Sequence, residues 1–220
     1  MVVSSIAFWG TCLLSVILIT GAFCAPATFL PASQGIIVAA GNSLTAGLGV
    51  AESEAYPALL ERMLNSEGLN YRVINVGISG ETSSGLRARI KWLLTLKPDI
   101  VIVETGANDG MRGIDLRLIR QNIHHIVRVL KENQVIPILV GMQMFPNLGV
   151  EYTRAYSRIY PEIAEEEGIV FMPFFLAEVA GKSAFNQADG IHPNANGYRV
   201  ITENLYPYVV EAIRQHRAAQ

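Results

Sequence analysis

Two short blocks of the sequence contain the residue types needed for nucleophilic chemistry. The first is Gly41-Asn42-Ser43-Leu44-Thr45-Ala46-Gly47, which directly follows the apolar run Gly35-Ile36-Ile37-Val38-Ala39-Ala40. A buried strand that ends in glycine and passes at once into serine presents a hydroxyl at the mouth of a sheet. Taken alone it is an ordinary turn. The second block, Asp189-Gly190-Ile191-His192-Pro193-Asn194, lies far downstream. A serine hydroxyl is a poor nucleophile until a base takes its proton. His192 is a candidate base, and Asp189, on the same tight turn, can reach the other ring nitrogen and fix the tautomer. A carbonyl attacked by Ser43 becomes an oxyanion that needs hydrogen-bond donors. The candidates are the backbone N–H groups of Ser43 and Gly80 and the side-chain amide of Asn108. Gly80 lies in Ile78-Ser79-Gly80-Glu81-Thr82, and Asn108 in Glu104-Thr105-Gly106-Ala107-Asn108-Asp109-Gly110.

Other groups are read more plainly. Asp-x-x-His can belong to a metal site, but the body has no cysteine and no second histidine near His192, so no metal is expected. His124 and His125 stand between apolar helical positions and read as surface or satisfied histidines. Glu104 and Asp109 read as structural hydrogen-bonding acids. Arg112 suits either a substrate contact or a tie for its own loop. The loop Met142-Gln143-Met144-Phe145-Pro146-Asn147-Leu148 is unusually apolar for a loop. Methionine adapts to varied shapes. Met142, Met144, Phe145 and Leu148 are therefore expected to line an acyl-chain groove beside Ser43, the other reading being that they pack beneath a neighbouring helix.

The elements that must position these groups alternate. Strands are predicted over 36–40, 71–76, 100–103, 135–140 and 169–172. Helices are predicted over 57–66, around the stripe Leu86, Ile90, Leu93 and Leu94, around Ile119, Ile123, Ile126, Val127 and Leu130, over 152–167 with a kink or restart at Pro161, and from Ala195 onward with a bend at Pro207. Pro137 argues against fully regular central pairing of the fourth strand. Strand–helix alternation implies an α/β fold, a parallel sheet covered by helices on both faces. Right-handed crossovers then bring every strand's carboxyl end to one edge, where ligands bind.

Composition bounds the rest. The chain has 220 residues, a net charge of −2 and 50% hydrophobic residues, which suits one domain with a sizeable core and gives no basic excess for nucleic acid. The first charged side chain is Glu52. Residues 1–27 are largely apolar and end in Ala25-Pro26-Ala27, so they are expected to be a signal peptide or an N-terminal membrane anchor, giving a membrane association through residues 2–25. They lack the Lys or Arg of a usual export signal. Residues 28–34 read as a linker and 35–220 as the domain. The only cysteines, Cys12 and Cys24, fall in the leader, so no disulfide holds the body. Either fate of the leader places the domain outside the cytoplasm, in a periplasmic or other extracytoplasmic compartment.

The blocks Gly41-Asn42-Ser43-Leu44, Gly80, Gly106-Ala107-Asn108-Asp109 and Asp189-Gly190-Ile191-His192-Pro193-Asn194 together resemble the motif blocks of the SGNH (GDSL) hydrolases over about residues 35–215. The flanks resemble the bacterial periplasmic thioesterase I / lysophospholipase L1 group, with its arylesterase-like members. The resemblance implies a three-layer α/β/α, flavodoxin-like fold with a five-stranded parallel sheet. It implies hydrolysis of acyl esters and thioesters without metal or cofactor, with Ser43, His192 and Asp189 as triad and Ser43, Gly80 and Asn108 as oxyanion hole. One departure stands out: the family's motif usually has Asp where this chain has Asn42, whose amide can partly reproduce the bracing hydrogen bonds of a carboxylate. Two rival readings are a carbohydrate O-acyl esterase of the same fold and a non-catalytic membrane-anchored binding module.

Overall fold

The computed structural model describes residues 1–2 and 33–220. Residues 3–27 of the expected leader, with both cysteines, and residues 28–32 of the expected linker lie outside the described residues. Among the described residues no helix is long and apolar enough to cross a membrane.

Five strands, β1 (Gly35–Ala40), β2 (Tyr71–Asn75), β3 (Ile100–Val103), β4 (Ile136–Val140) and β5 (Val170–Met172), form one parallel sheet in the order β2-β1-β3-β4-β5. This is the doubly wound, flavodoxin-like order. The long helices between the strands are α2 (Tyr56–Ser66), α3 (Ser83–Leu94), α5 (Leu116–Glu132) and α6 (Val150–Glu167), with α7 (Ala195–Ala218) closing the chain. Helices α3, α5 and α6 pack side by side as one layer, and α2 packs on α7 as the other. The reversal of winding between β1 and β3 explains the split. The β1-to-β2 crossover steps one way along the sheet and all later crossovers step the other way, so right-handedness sends their helices to opposite faces.

The strands read as continuous apolar runs because both faces are covered. In β3 all four residues are buried, and β4 is buried from Pro137 to Val140. Helix α5 shows why its stripe was legible: Ile119, Ile123, Ile126, Val127 and Leu130 are all fully buried.

Pro137 does not break its strand. It stands in register opposite Val101 of β3, while pairing with β5 begins only at Ile138. The N–H groups of Ile136 and Gly141 reach Asp99 and Met172, toward β3 and β5 respectively. By strand alternation, the missing N–H of Pro137 would point to the β5 side, ahead of any partner. Helix α6 begins at Val150, ahead of the expected Tyr152, and runs unbroken through Pro161. Helix α7 likewise continues through Pro207. Both prolines are solvent-exposed, so carbonyls freed by the missing donors can turn to water.

The outer strands are modest. β5 has three residues. On β2 the outward N–H of Val73 donates to Glu61 Oε2 of α2 at 2.6 Å.

Ile102, central in β3 and fully buried, tests how far the sheet depends on dense packing. Ile102→Ala is expected to destabilise the domain by about 2–5 kcal/mol, read as a lower denaturation midpoint with an unchanged slope. A loss below about 1 kcal/mol would show that the sheet relaxes around the gap.

Candidate active site

The site forms where the winding reverses, between the carboxyl ends of β1 and β3, the expected ligand crevice for this sheet order. Beyond β1 the chain turns into a four-residue helix, α1 (Ser43–Ala46), too short to leave a periodic signal in the sequence. Asn42 caps it, its Oδ1 accepting from Leu44 N–H at 3.0 Å. Beyond β3 comes another short helix, α4 (Ala107–Met111), which carries Asn108. The Asp189–His192 turn precedes α7. Asn194 caps that helix and also donates to the carbonyls of Ala184 and Asn186, closing the loop on itself.

Three predicted residues meet in one hydrogen-bonded line. Ser43 Oγ lies 2.9 Å from His192 Nε2, and His192 Nδ1 lies 2.7 Å from Asp189 Oδ2. Asp189 Oδ1 also accepts the main-chain N–H groups of Ile191 and His192 at 2.9 and 3.0 Å. The side-chain bond to His192, followed by those two N–H bonds, lowers the Asp189 carboxyl to about 2. An ionised Asp189 accepts from Nδ1–H, which leaves Nε2 with its lone pair toward the Ser43 hydroxyl.

Asn108 lines the same cavity as Ser43 and His192, and Gly80, which does not line it, is tied to the end of α4. Asn108 Nδ2 donates to the Glu81 carbonyl at 2.9 Å. That uses one of its two hydrogens and leaves the other available. Arg112 Nη2 donates to the Gly80 carbonyl at 3.1 Å, so this side chain ties the loop down. Asp109, fully buried, accepts from Ser83 N–H and Ser83 Oγ at 2.8 and 2.6 Å. Three side chains from α4 and its end thus hold the 80–83 segment. Among the described residues, the N–H groups of Ser43 and Gly80 have no protein acceptor.

Beneath the turn, Asn42 and Glu104 are both buried. Glu104 accepts from Asn42 N–H at 2.9 Å, Asn42 Nδ2 at 2.6 Å and Thr45 Oγ1 at 3.0 Å. Burial pushes the Glu104 carboxyl up to about 7, while those three bonds pull the other way. Glu104 is indeed a hydrogen-bonding acid, but one placed directly under the serine turn.

A cavity of about 290 Å³ opens beside Ser43 and His192. Its lining includes Leu44, Met111, Met142, Met144, Phe145 and Phe174. Leu148, expected in the groove, is not among the lining residues. It belongs to the short turn Pro146–Leu148, which leads into α6. Met144 reaches inward over Gly110, where a Cβ would collide with its thioether. Phe174 contributes without any advance signal, since it lies in neither an apolar loop nor a motif, whereas Met111 stands in the flank of the Asn108 block but was not singled out. Gln187 was also not foreseen. Its Nε2 donates to the Leu48 and Pro193 carbonyls at 2.7 and 2.9 Å, tying the His192 loop to the segment after α1. His124 pairs with Glu167 at 3.0 Å on the outer surface, away from the site. Among the described residues, no cluster of His, Cys, Asp and Glu could hold a metal ion.

Comparison with known proteins agrees with this arrangement. The profile of the GDSL-like lipase/acylhydrolase family matches residues 39–200. The chain is 40% identical over 177 residues to Esterase TesA of Pseudomonas aeruginosa, covering 80% of this chain and 88% of that protein. It is 37% identical to Thioesterase 1/protease 1/lysophospholipase L1 of Escherichia coli, covering 80% and 84%. A crystal structure of TesA superposes with a TM-score of 0.78 at 38% identity, covering 80% of this chain and 99% of that one. With motif blocks, sheet order and site geometry in agreement, the chain belongs to the GDSL-like lipase/acylhydrolase family.

Proposed function

We propose that this protein hydrolyses acyl esters and thioesters through an acyl-enzyme formed on Ser43. The observation that carries the reading is the hydrogen-bonded line from Ser43 through His192 to Asp189, opening onto an apolar cavity. His192 Nε2 takes the Ser43 proton as Oγ bonds to the carbonyl carbon. The oxyanion accepts from Ser43 N–H, Gly80 N–H and the free hydrogen of Asn108 Nδ2, each such donor being worth about 3–4 kcal/mol of barrier. Collapse breaks the bond to the alcohol or thiol, which leaves with the proton from the imidazolium. Water then attacks the acyl carbonyl as His192 takes its proton, and collapse breaks the bond to Ser43 Oγ, which regains that proton as the carboxylic acid departs. The scheme uses only groups of the chain and needs no cofactor.

The cavity supports an acyl chain as the group held beside Ser43. Its lining is mainly apolar, and the thioethers of Met142 and Met144 suit chains of varied shape. A sugar acyl donor would want more polar groups there, and a pure binding module has no need of an aligned serine, imidazole and carboxylate. Action outside the cytoplasm belongs to the same proposal, resting on the apolar composition of residues 1–27.

Four measurements test the reading. Ser43→Ala is expected to abolish turnover of a chromogenic ester while leaving the thermal midpoint unchanged, and retained turnover refutes the assignment. Asp189→Asn is expected to lower kcat by roughly 10³–10⁴-fold. Because Asp189 stays ionised down to about pH 2, a loss of activity on mild acidification of the native enzyme must come from another group. A decline following the aspartate itself should appear only near that pH. Finally, Met144→Ser with Phe145→Ser should cut kcat/KM on an octanoyl ester by about tenfold or more and on an acetyl ester by about twofold or less. Leu148→Ser should change neither. Equal losses on both esters would remove the acyl groove from the proposal.

A further inference from the structure

The segment that carries Asn108 begins at a turn that its own backbone does not fix. Just past β3, Glu104 N–H donates to the Ala40 carbonyl of β1 at 2.9 Å, which holds the chain to the sheet. Gly110 N–H donates to the Gly106 carbonyl at 2.9 Å, which opens α4. Between those two bonds the chain turns through Gly106, with a φ of +94° that glycine adopts without strain. Asn108 stands two residues further on. The residue that permits this turn is also the one with the widest backbone freedom. The direction in which α4 leaves the sheet, and with it the place of the Asn108 amide, therefore depends on an outside restraint.

Helix α6 supplies one. Tyr156 and Tyr160 are four residues apart, on one face of that helix, and both are fully buried. The Tyr160 hydroxyl donates to the Thr105 carbonyl at 2.9 Å, and among the described residues no other donor reaches that carbonyl. A phenol has one hydrogen to give, so in the 2.6 Å contact between the two hydroxyls Tyr156 is the donor. Burial, and after it the neighbouring Tyr156 phenol, push the Tyr160 phenol well above its usual range, so its hydrogen stays in place. The Thr105 carbonyl belongs to the peptide that precedes Gly106. Holding that peptide plane fixes one side of the rotation that glycine leaves free. Contact reinforces the bond: a Cβ at Gly106 would collide with the Tyr160 hydroxyl, and one at Gly110 would press on the Tyr156 ring at 2.9 Å. Gly106 and Gly110 thus lie against the tyrosine face, one on either side of Asn108.

We propose that Tyr160 is a positioning residue for Asn108, its hydroxyl clamping the Thr105–Gly106 peptide and so setting where the Asn108 amide stands. The proposal rests on Asn108 being an oxyanion donor. Tyr160 does not line the cavity beside Ser43, so its effect on the reaction passes through the backbone. The clamp is separate from the bond between Asn108 Nδ2 and the Glu81 carbonyl. That bond sets the rotation of the amide, and the clamp sets the backbone that carries it. Removing the Tyr160 hydroxyl has two effects of different kinds. The Thr105–Gly106 peptide loses its restraint, and Tyr156 becomes a buried donor without an acceptor, which costs stability. Removing both hydroxyls together relieves the second effect and leaves the first, so the two can be told apart.

The test compares the native enzyme with Y160F, Y156F, Y156F/Y160F, N108A and N108A/Y160F by kcat and KM on a chromogenic ester, well below each variant's thermal midpoint, and by the midpoint itself. Y160F is expected to lose about tenfold or more in kcat with KM within about threefold. Y156F, which keeps the Tyr160 bond to Thr105, should stay within about threefold of native kcat. Y156F/Y160F should have a higher midpoint than Y160F and an equally low kcat. N108A should lose about 10²–10³-fold in kcat. Adding Y160F to it should cost no more than about twofold further, because no amide is left to position. Four outcomes overturn the proposal. They are native kcat in Y160F, a Y160F loss as large in N108A as in the native enzyme, recovery of kcat together with the midpoint in Y156F/Y160F, and failure of both Y160F and Y156F/Y160F to fold. Native kcat in N108A would instead remove the oxyanion reading, and the proposal with it, so the two failures are distinguishable.

Discussion

The 2.9 Å contact between Ser43 Oγ and His192 Nε2 joins groups 149 residues apart in sequence. A hydroxyl–imidazole bond tolerates only a few tenths of an ångström in length before it weakens. Everything between those residues must therefore return the chain to the same place. The parallel sheet does so because its right-handed crossovers deliver each strand's carboxyl end to one edge. β1 fixes Ser43 and β3 fixes Asn108. The His192 loop is held by its own turn and by Gln187, which reaches back to the Leu48 carbonyl. Each functional group sits just beyond a regular element, on a short turn or a one-turn helix, so the scaffold is rigid while the chemistry stays at its rim.

The polar side of the site is built in two tiers. Asn108 faces the cavity, but its amide is oriented by the Glu81 carbonyl, and the same segment is fixed by Asp109 at Ser83 and by Arg112 at Gly80. Glu81 in turn holds Arg89 through two bonds of 2.6 Å. This lattice of bonds restrains the Asn108 amide, as the proposed oxyanion role requires of a donor that must not reorient when charge develops on its acceptor. On the opposite side Asp189 is braced by two main-chain N–H groups before it ever meets the imidazole. The placement of these bonds makes the turns, more than the core, the strict part of the molecule.

How much of this was legible beforehand divides along physical lines. Buried strands and the amphipathic stripe of α5 declare themselves through periodicity, because burial on a regular element imposes a repeat. Motif residues such as Ser43, Asn108, Asp189 and His192 were legible through residue type and block context. Helices α1 and α4 were not, since four and five residues carry no period. The irregular pairing expected of β4 at Pro137 is one-sided, with a partner in β3 and none in β5, because a proline's cost depends on which side its missing donor faces, and the sequence does not state the direction. Leu148 was assigned to the cavity by composition alone, but the short turn at 146–148 places it away from the lining. Met111, Phe174 and Gln187 act through long-range proximity, which no local pattern encodes. Asn42 was noticed as a departure, yet its meaning required seeing Glu104 across from it.

The borders of the sheet have a consequence of their own. A parallel sheet with two free margins offers unpaired backbone to any neighbouring chain. Here one margin is β5, only three residues long. On the other margin, β2, the outward N–H of Val73 is already occupied by the Glu61 carboxylate. A strand approaching from outside would find little to pair with on one side and a negative charge standing in its path on the other. The same helix that buries Leu60 and Leu64 against the core thereby also fills a backbone donor on the open margin of the sheet, blunting that edge by local geometry and not by net charge.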